Sequence, residues 1–521
     1  MLAPASRERL GDARKQEAAG HSPAAFLFGI VLVFFAAAAS YAALNKGPWL
    51  DEFWSYYLTD PSLTWSNLLR DRWLRDTHPV PANMLYLIVR GLGAEDPGPA
   101  RLLLNLPALA VMSAAAILFF RTAKRGRSFY LLFPALVLAL PDATLFASEF
   151  RSYFWQIALI VMAVQHVHLS LSEAEEVAGR RIVQLVGLCA VLLSLLLHFI
   201  TSALVTPLYL LAALALWRDG RRAAAKRLGI ALTLAWAILG PLALIHYGSG
   251  ANDLDVRWIT TNTAQALWMF AESLIAVAKG AAVPIGLLAF LTFRAPLGRD
   301  NQSARSSNSM PTSFAVLILR AILIGAIGLL VLNALQPILV SRYFLPWQVM
   351  TAGAVAALAS SALDRRPVLL AATGIWSLAV IGSEAVEQAG QRRWLEGLER
   401  ASAIAAACPG TRVYATSHWR FTQHRASRTA ERESRIVELA YRRLAARRGL
   451  SVEVLDQRSP VTIAPQPSCP TLIWVQHFTA VPGTSAPDLL AGADITLTEP
   501  TAVRIVPSSE DSMLILIGPA D

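Results

Sequence analysis

Long apolar runs alternate with short polar and basic stretches over the first three quarters of the chain. The runs fall at roughly 24–44, 101–120, 128–147, 153–170, 182–197, 199–217, 228–247, 273–293, 313–335, 345–363 and 368–385. A helix rises 1.5 Å per residue, so about 20 apolar residues span a hydrocarbon core of ~30 Å. The pattern predicts about eleven transmembrane helices. PANMLYLIVRGLG (81–93) is apolar but too short to cross, and is expected to lie along the surface as an interfacial helix. From about 386 the pattern changes. Short β-like runs, RVYATS (412–417), VEVL (452–455), TLIWVQHF (471–478), AVRIV (502–506) and MLILIG (513–518), accompany a basic helical stretch at 431–450, which predicts a small α/β domain. The expected fold is an all-α polytopic membrane domain with a small C-terminal α/β extracytoplasmic domain. Its divisions are a tail at 1–23, a membrane domain at 24–385 with a first external loop at 45–100, and the α/β domain at 386–521.

Composition agrees with that class, since 55% of the 521 residues are hydrophobic and 16% are charged, which excludes an ordinary soluble globule. The net charge of +10 sits in clusters between apolar runs, RTAKRGR (121–127), RDGRRAAAKR (218–227) and DRRP (364–367). These read as positive-inside topology signals, not as a nucleic-acid footprint. With a cytoplasmic basic tail and an uncleaved first span, an odd number of crossings puts the C-terminal domain outside. Arg320 is expected to snorkel to the inner headgroups. No GxxxxGK[ST] loop supports ATP-driven chemistry. Of the three cysteines, Cys189 lies within a span, whereas Cys408 and Cys469 each precede proline at the entrance to a predicted strand. That pair is expected to bridge in an oxidising compartment.

On this topology the polar residues that interrupt the apolar pattern gather at the outer ends of the spans. They are Asp51 and Glu52 in GPWLDEFWSYYLTDP, Thr77 and His78, Glu149 and Arg151, His198, Lys279, and Arg342 with Tyr343. Several have plain structural readings: Trp49, Trp54 and Tyr57 as an interfacial aromatic belt, the arginines as lipid-phosphate anchors, His198 as a helix terminus. Two acids at a membrane entrance are costly and call for a task. The set suits glycosyl transfer from a lipid-phosphate sugar. A carboxylate takes a proton from an acceptor hydroxyl, and guanidinium groups hold the departing phosphate.

Five motifs, in order, carry a resemblance: LDEFWSYY, THPVPANMLYLIVRGLG, PARLLLNLPALAV, ASEFRSYFWQIAL and SRYFLPWQ. Together they resemble the GT-C superfamily of membrane glycosyltransferases, in particular the group of protein O-mannosyltransferases, aminoarabinose transferases and Rgt-type galacturonosyltransferases. The resemblance implies Asp51 as the base with Glu52 beside it, and His78 at the His-Pro-Pro motif, which here reads His78-Pro79-Val80-Pro81. It makes Arg151, Tyr153, Arg342 and Tyr343 the donor-phosphate and pocket residues, to which the placement of Lys279 and His198 adds two. Some members of the superfamily hold a divalent cation at such acids and others do not, so a metal at Asp51 and Glu52 stays open. The implied activity is inverting transfer from a polyprenyl-phosphate sugar to a hydroxyl of an envelope glycan, lipid or protein, on the outer face of a bacterial inner membrane. Two other readings compete. A flippase or transporter of lipid-linked intermediates would show midplane charges and repeated halves. A membrane-anchored binding protein would act through 386–521.

Overall fold

The computed structural model describes residues 22–76, 78–248, 261–294, 309–335, 337–416, 428–455, 460–476, 485–492, 494–499, 501–509 and 512–518. Thr77 and nearly all of the 1–23 tail lie outside the described residues. The first helix, α1 (Pro23–Asn45), starts on a proline, whose missing N–H costs nothing in a first turn. It is followed by α2 (Leu50–Leu58) and α3 (Val80–Gly91), short helices in the first loop. The bundle continues through α4 (Pro97–Thr122), α5 (Phe129–Leu138), α6 (Pro141–Ala147), α7 (Tyr153–Ser172), α8 (Arg181–Leu197), α9 (Phe199–Arg218) and α10 (Arg222–Gly248). It closes with α11 (Thr263–Gly280), α12 (Ala282–Arg294), α13 (Ser309–Leu335), α14 (Leu345–Asp364) and α15 (Pro367–Gly390).

Each of the eleven predicted runs falls on helix. Among the described residues, seven helices are long and apolar enough to cross a membrane, or nine when each of two bent pairs counts as one span. The bends lie between α5 and α6 (71°) and between α11 and α12 (87°). They pack on each other: a Cβ on Gly280 would stand 2.8 Å from the carbonyl oxygen of Ala139. A glycine is needed there because the backbone of the α5 break occupies the space a side chain would take.

Burial sorts the bundle into centre and rim. α5 is buried at every position and is apolar on all sides, whereas α7, buried at nearly all, also carries Gln165, His166 and His168 inside, each bonded to a tyrosine. The outer helices instead expose apolar rows, such as Leu323, Ile324, Ile327 and Val331 of α13. A hydrocarbon solvent tolerates that arrangement and water does not.

Beyond α15 the chain forms a C-terminal β-containing unit. Its elements are α16 (Trp394–Ala407), β1 (Arg412–Thr416), α17 (Arg428–Arg447), β2 (Glu453–Leu455), β3 (Val461–Ile463), β4 (Thr471–Gln476), α18 (Ala486–Gly492), β5 (Ile495–Leu497), β6 (Val503–Ser509) and β7 (Ser512–Ile517). The main sheet has the order β2-β1-β4-β7-β6, with β1 parallel to β2 and β4, and β7 antiparallel to β4 and β6. The five predicted strands are these. β3 and β5, a separate parallel pair of three-residue strands, are too short to show alternation in sequence.

Cys408 and Cys469 are joined by a disulfide with Cα atoms 5.8 Å apart, tying the end of α16 to the entrance of β4. The bridge spans 61 positions. A loop of that length is expected to stabilise the unit by about 4 kcal/mol through the entropy it removes from the unfolded chain. Cys408→Ser should lower the unfolding free energy of the unit by roughly that amount, and non-reducing peptide mapping should recover the linked pair. Two alkylated thiols at 408 and 469 would refute the expectation.

The C-terminal unit packs on the first loop. Phe53 of α2 meets Trp394 at 5.3 Å between ring centroids, and Trp394 meets Tyr441, which meets Trp474. Arg443 and Arg447 of α17 pair with Glu95 and Asp96. The aromatics of the loop are therefore not all a lipid belt. Tyr57 is buried beneath the guanidinium of Arg72, 3.4 Å from its ring centroid, and Trp54 donates to Asp76. A folded unit offers these rings more contact than the headgroup region would.

Candidate functional site

The first turn of α2 carries both acids. Consecutive residues on a helix point about 100° apart, so Asp51 and Glu52 enter different surroundings. Glu52 is fully buried. Its Oε1 accepts from Arg101 Nε (2.7 Å) and the Phe150 backbone N–H (2.7 Å), and its Oε2 from Arg101 Nη2 (2.6 Å) and the Trp49 N–H (3.3 Å). Burial alone would raise this carboxyl, but the Arg101 charge and these hydrogen bonds outweigh it and hold the carboxyl below its ordinary range. Arg101 spends its remaining donors on the carbonyls of Ala43, Lys46 and Gly47, the orphaned end of α1. The pair is a buried clamp between α1, α2 and α4.

Asp51 keeps an open side, with 17% of its side chain exposed. Oδ2 lies 2.8 Å from Nη1 of Arg342, in the turn before α14. Arg151 stands behind it, almost fully buried, with Nη1 donating to the Asp51 carbonyl (3.1 Å) and to Ser55 Oγ (3.3 Å). Nη2 of Arg151 lies 2.9 Å from His78 Nε2. A guanidinium can only donate, so Nε2 accepts and the ring proton sits on Nδ1, which faces Asp76 Oδ2 at 3.4 Å. Burial, then the Arg151 charge, lower the His78 pKa and keep the ring neutral. For Asp51, burial pushes the carboxyl up, but Arg342 and Arg151 more than reverse it and the group lies below the ordinary carboxylate range. Arg342 thus faces the Asp51 carboxylate directly, while Arg151 is bonded to the Asp51 backbone and, through His78, lies next to Asp76.

An aromatic wall adjoins the pair. His198 stands 5.0 Å from Tyr343, 5.7 Å from His78 and 5.9 Å from Tyr153, measured between ring centroids. The Tyr153 hydroxyl is buried with no hydrogen-bond partner among the described residues. Seven of the residues singled out in sequence thus converge: Asp51, His78, Arg151, Tyr153, His198, Arg342 and Tyr343. Lys279 does not pair with them. It sits in the last turn of α11, half exposed, in an ion pair with Glu384 of α15. Glu149 is turned away as well, held by Lys46 Nζ at 2.8 Å.

Sequence reading missed Lys46, Asp76 and Arg393, which orient Glu149, His78 and Trp49 respectively. Asp76 carried a usable signal, as an acid two residues before His78. Arg393 carried none, because nothing in the pattern places the end of α15 beside α2. A divalent cation does not fit this donor set: the Asp51 carboxylate faces two guanidiniums, Glu52 is saturated, and no group of three or more His, Cys, Asp or Glu side chains among the described residues could hold a metal.

No family model matches the chain and no curated protein matches it in sequence. In three dimensions it is similar to the crystal structure of ArnT from Cupriavidus metallidurans in the apo state, with a TM-score of 0.50 and 13% identity over 94% of this chain and 98% of that chain. The same protein bound to undecaprenyl phosphate gives a TM-score of 0.50 and 15% identity over the same shares. The chain shares the overall fold of that protein. At such identities the likeness is one of architecture, so the roles of individual residues rest on the geometry around Asp51.

Proposed function

We propose that the protein is an inverting glycosyltransferase that moves a sugar from a polyprenyl-phosphate donor to a hydroxyl acceptor. The observation that carries this is the half-open Asp51–Arg342 pair, set among buried, saturated groups at one end of an apolar bundle. The acceptor O–H gives its proton to the Asp51 carboxylate as its oxygen bonds to the anomeric carbon. On the opposite face the bond from that carbon to the phosphate oxygen breaks, and the electron pair leaves with the phosphate. Arg342 stabilises that charge as it develops. Before donor binds, Arg342 weakens Asp51 as a base. When phosphate draws the guanidinium away, the carboxylate regains basicity next to the acceptor.

Arg151 and His78 are positioning groups in this reading: Asp76 sets the His78 tautomer, His78 orients Arg151, and Arg151 fixes the backbone of Asp51. Glu52 is the structural partner of Arg101, not a second base. The aromatic wall of Tyr153, His198 and Tyr343 is the pocket side, and the unpartnered Tyr153 hydroxyl is free to bond the sugar. An odd number of crossings and the basic clusters between the apolar runs support placing the site and the C-terminal unit on the periplasmic face of a bacterial inner membrane, with α3 along the surface. The similar ArnT structure, bound to undecaprenyl phosphate, supports a lipid-phosphate donor.

Mass spectrometry of envelope glycans and glycolipids, with and without the protein, tests the reading. Loss of one sugar substituent in its absence, restored by the wild-type chain and not by an Asp51 variant, is the expected result. An unchanged envelope profile alongside altered export of a lipid-linked intermediate would replace it with the transporter reading.

A further inference from the structure

α9 runs from the Asp51 site to the far end of the bundle. It is capped by His198 of the aromatic wall and ends at Arg218, roughly 30 Å away at 1.5 Å per residue. α13 lies against it. A Cβ on Gly325 would stand 2.5 Å from the Ala203 carbonyl oxygen, so the two backbones touch at that level, as small residues allow between membrane helices. Towards Arg218 they part. A cavity of about 420 Å³ opens there between α9, α13 and the end of α7.

Leu211 and Leu214 of α9 and Leu317 of α13 form apolar walls, and Arg218, Asp219 and Arg320 supply the charges. His168 also lines the cavity, but its Nδ1 is 2.8 Å from the Tyr130 hydroxyl and its ring lies against Phe314, so it is held in the packing. Arg221, next in the loop, is spent on the carbonyls of Ser170, Leu171 and Glu173 at the end of α7. Arg218 and Arg320 are different. Both are exposed, and neither has a hydrogen-bond or ion-pair partner among the described residues. Arg320 stands about 13 Å along α13 from Pro311, where the apolar span begins, next to the exposed Leu319 and one turn before the exposed Leu323. A guanidinium on a hydrocarbon-facing row needs an anion or water. Two arginines against the Asp219 carboxylate leave one positive charge over, which complements a headgroup of single negative charge, and the leucine walls suit its acyl chain.

We propose that this cleft holds one anionic phospholipid, with its phosphate bound by Arg218 and Arg320 and an acyl chain between α9 and α13. The site lies at the opposite end of α9 from Asp51 and does not rest on the donor reading. Native mass spectrometry of the full-length protein, titrated with phosphatidylglycerol and with phosphatidylethanolamine of the same acyl chains, tests it. The wild type should bind one phosphatidylglycerol at least tenfold more tightly than the zwitterionic lipid, and Arg218→Gln combined with Arg320→Gln should abolish that preference. Ala215→Trp, which fills the cleft and keeps both arginines, should weaken phosphatidylglycerol binding as strongly. Without added lipid both variants should unfold at the wild-type temperature, and they should lose the upward shift that phosphatidylglycerol gives the wild type. Inorganic phosphate should not displace the lipid, because it brings no acyl chain. Equal wild-type affinity for the two phospholipids, an unaltered preference in the double variant, or wild-type binding in Ala215→Trp would overturn the proposal. Displacement by inorganic phosphate would overturn it too, in favour of a free-anion site.

Discussion

Asp51→Asn is expected to lower turnover with a polyprenyl-phosphate sugar by about two to four orders of magnitude, the usual contribution of a general base. Asparagine keeps the size of the side chain, and the backbone of Asp51 is held independently by Arg151, so the fold should survive. Donor affinity should stay the same or rise, because the substitution releases Arg342 from the ion pair it makes at 2.8 Å. A fall in kcat with unchanged or tighter donor binding separates lost base catalysis from a damaged pocket. The pH profile adds a check. Arg342 and Arg151 overcome the effect of burial and lower the Asp51 carboxyl, so the acidic limb of kcat/KM should lie below the ordinary carboxylate range and disappear in Asp51→Asn. Near wild-type turnover of the variant would remove Asp51 from the mechanism.

Glu52→Gln should fail differently, by losing folded protein. Arg101 is 1% exposed, and the change leaves its charge buried without its ion-pair partner. Breaking a buried pair by removing one partner costs about 3–5 kcal/mol. The sign with pH follows from the lowered carboxyl: the pair's contribution is present above the unfolded value of about 4.3 and is lost as pH falls through the lower folded value. Arg101→Lys should be nearly as damaging, since one ammonium cannot serve two carboxylate oxygens and three carbonyls at once. Thermal unfolding in detergent decides the matter. A wild-type midpoint for Glu52→Gln would mean that the clamp contributes little. The two neighbouring acids are thus expected to part in kind, one variant folded and inactive, the other unstable.

The long apolar runs, the strand-like runs after 386 and the basic clusters were legible in the chain because each follows from local physics. A hydrocarbon core demands about 20 apolar residues in a helix, a strand alternates its faces, and charge stays out of lipid. Motifs singled out Asp51, His78, Arg151, Tyr153, Arg342 and Tyr343, and placement at a span end singled out His198; the fold brings these seven side chains together. Tertiary structure decided the rest. LDEF gives Asp51 and Glu52 equal standing, and the helical turn that separates them sends one to an open ion pair and the other into the Arg101 clamp. Hydropathy scores Tyr57 alike whether it meets lipid or Arg72. Lys279 lay at the expected end of its span, yet it faces Glu384 across a helix pair that no local pattern defines. The seam where the Gly47 N–H donates to the Gln391 carbonyl, with the Arg392 carbonyl in the space a Gly47 side chain would take, joins segments far apart in the chain and left no mark in sequence. Propensity and periodicity act over a turn or two of chain, whereas burial, charge pairing and strain are fixed only when distant segments share one dry interior.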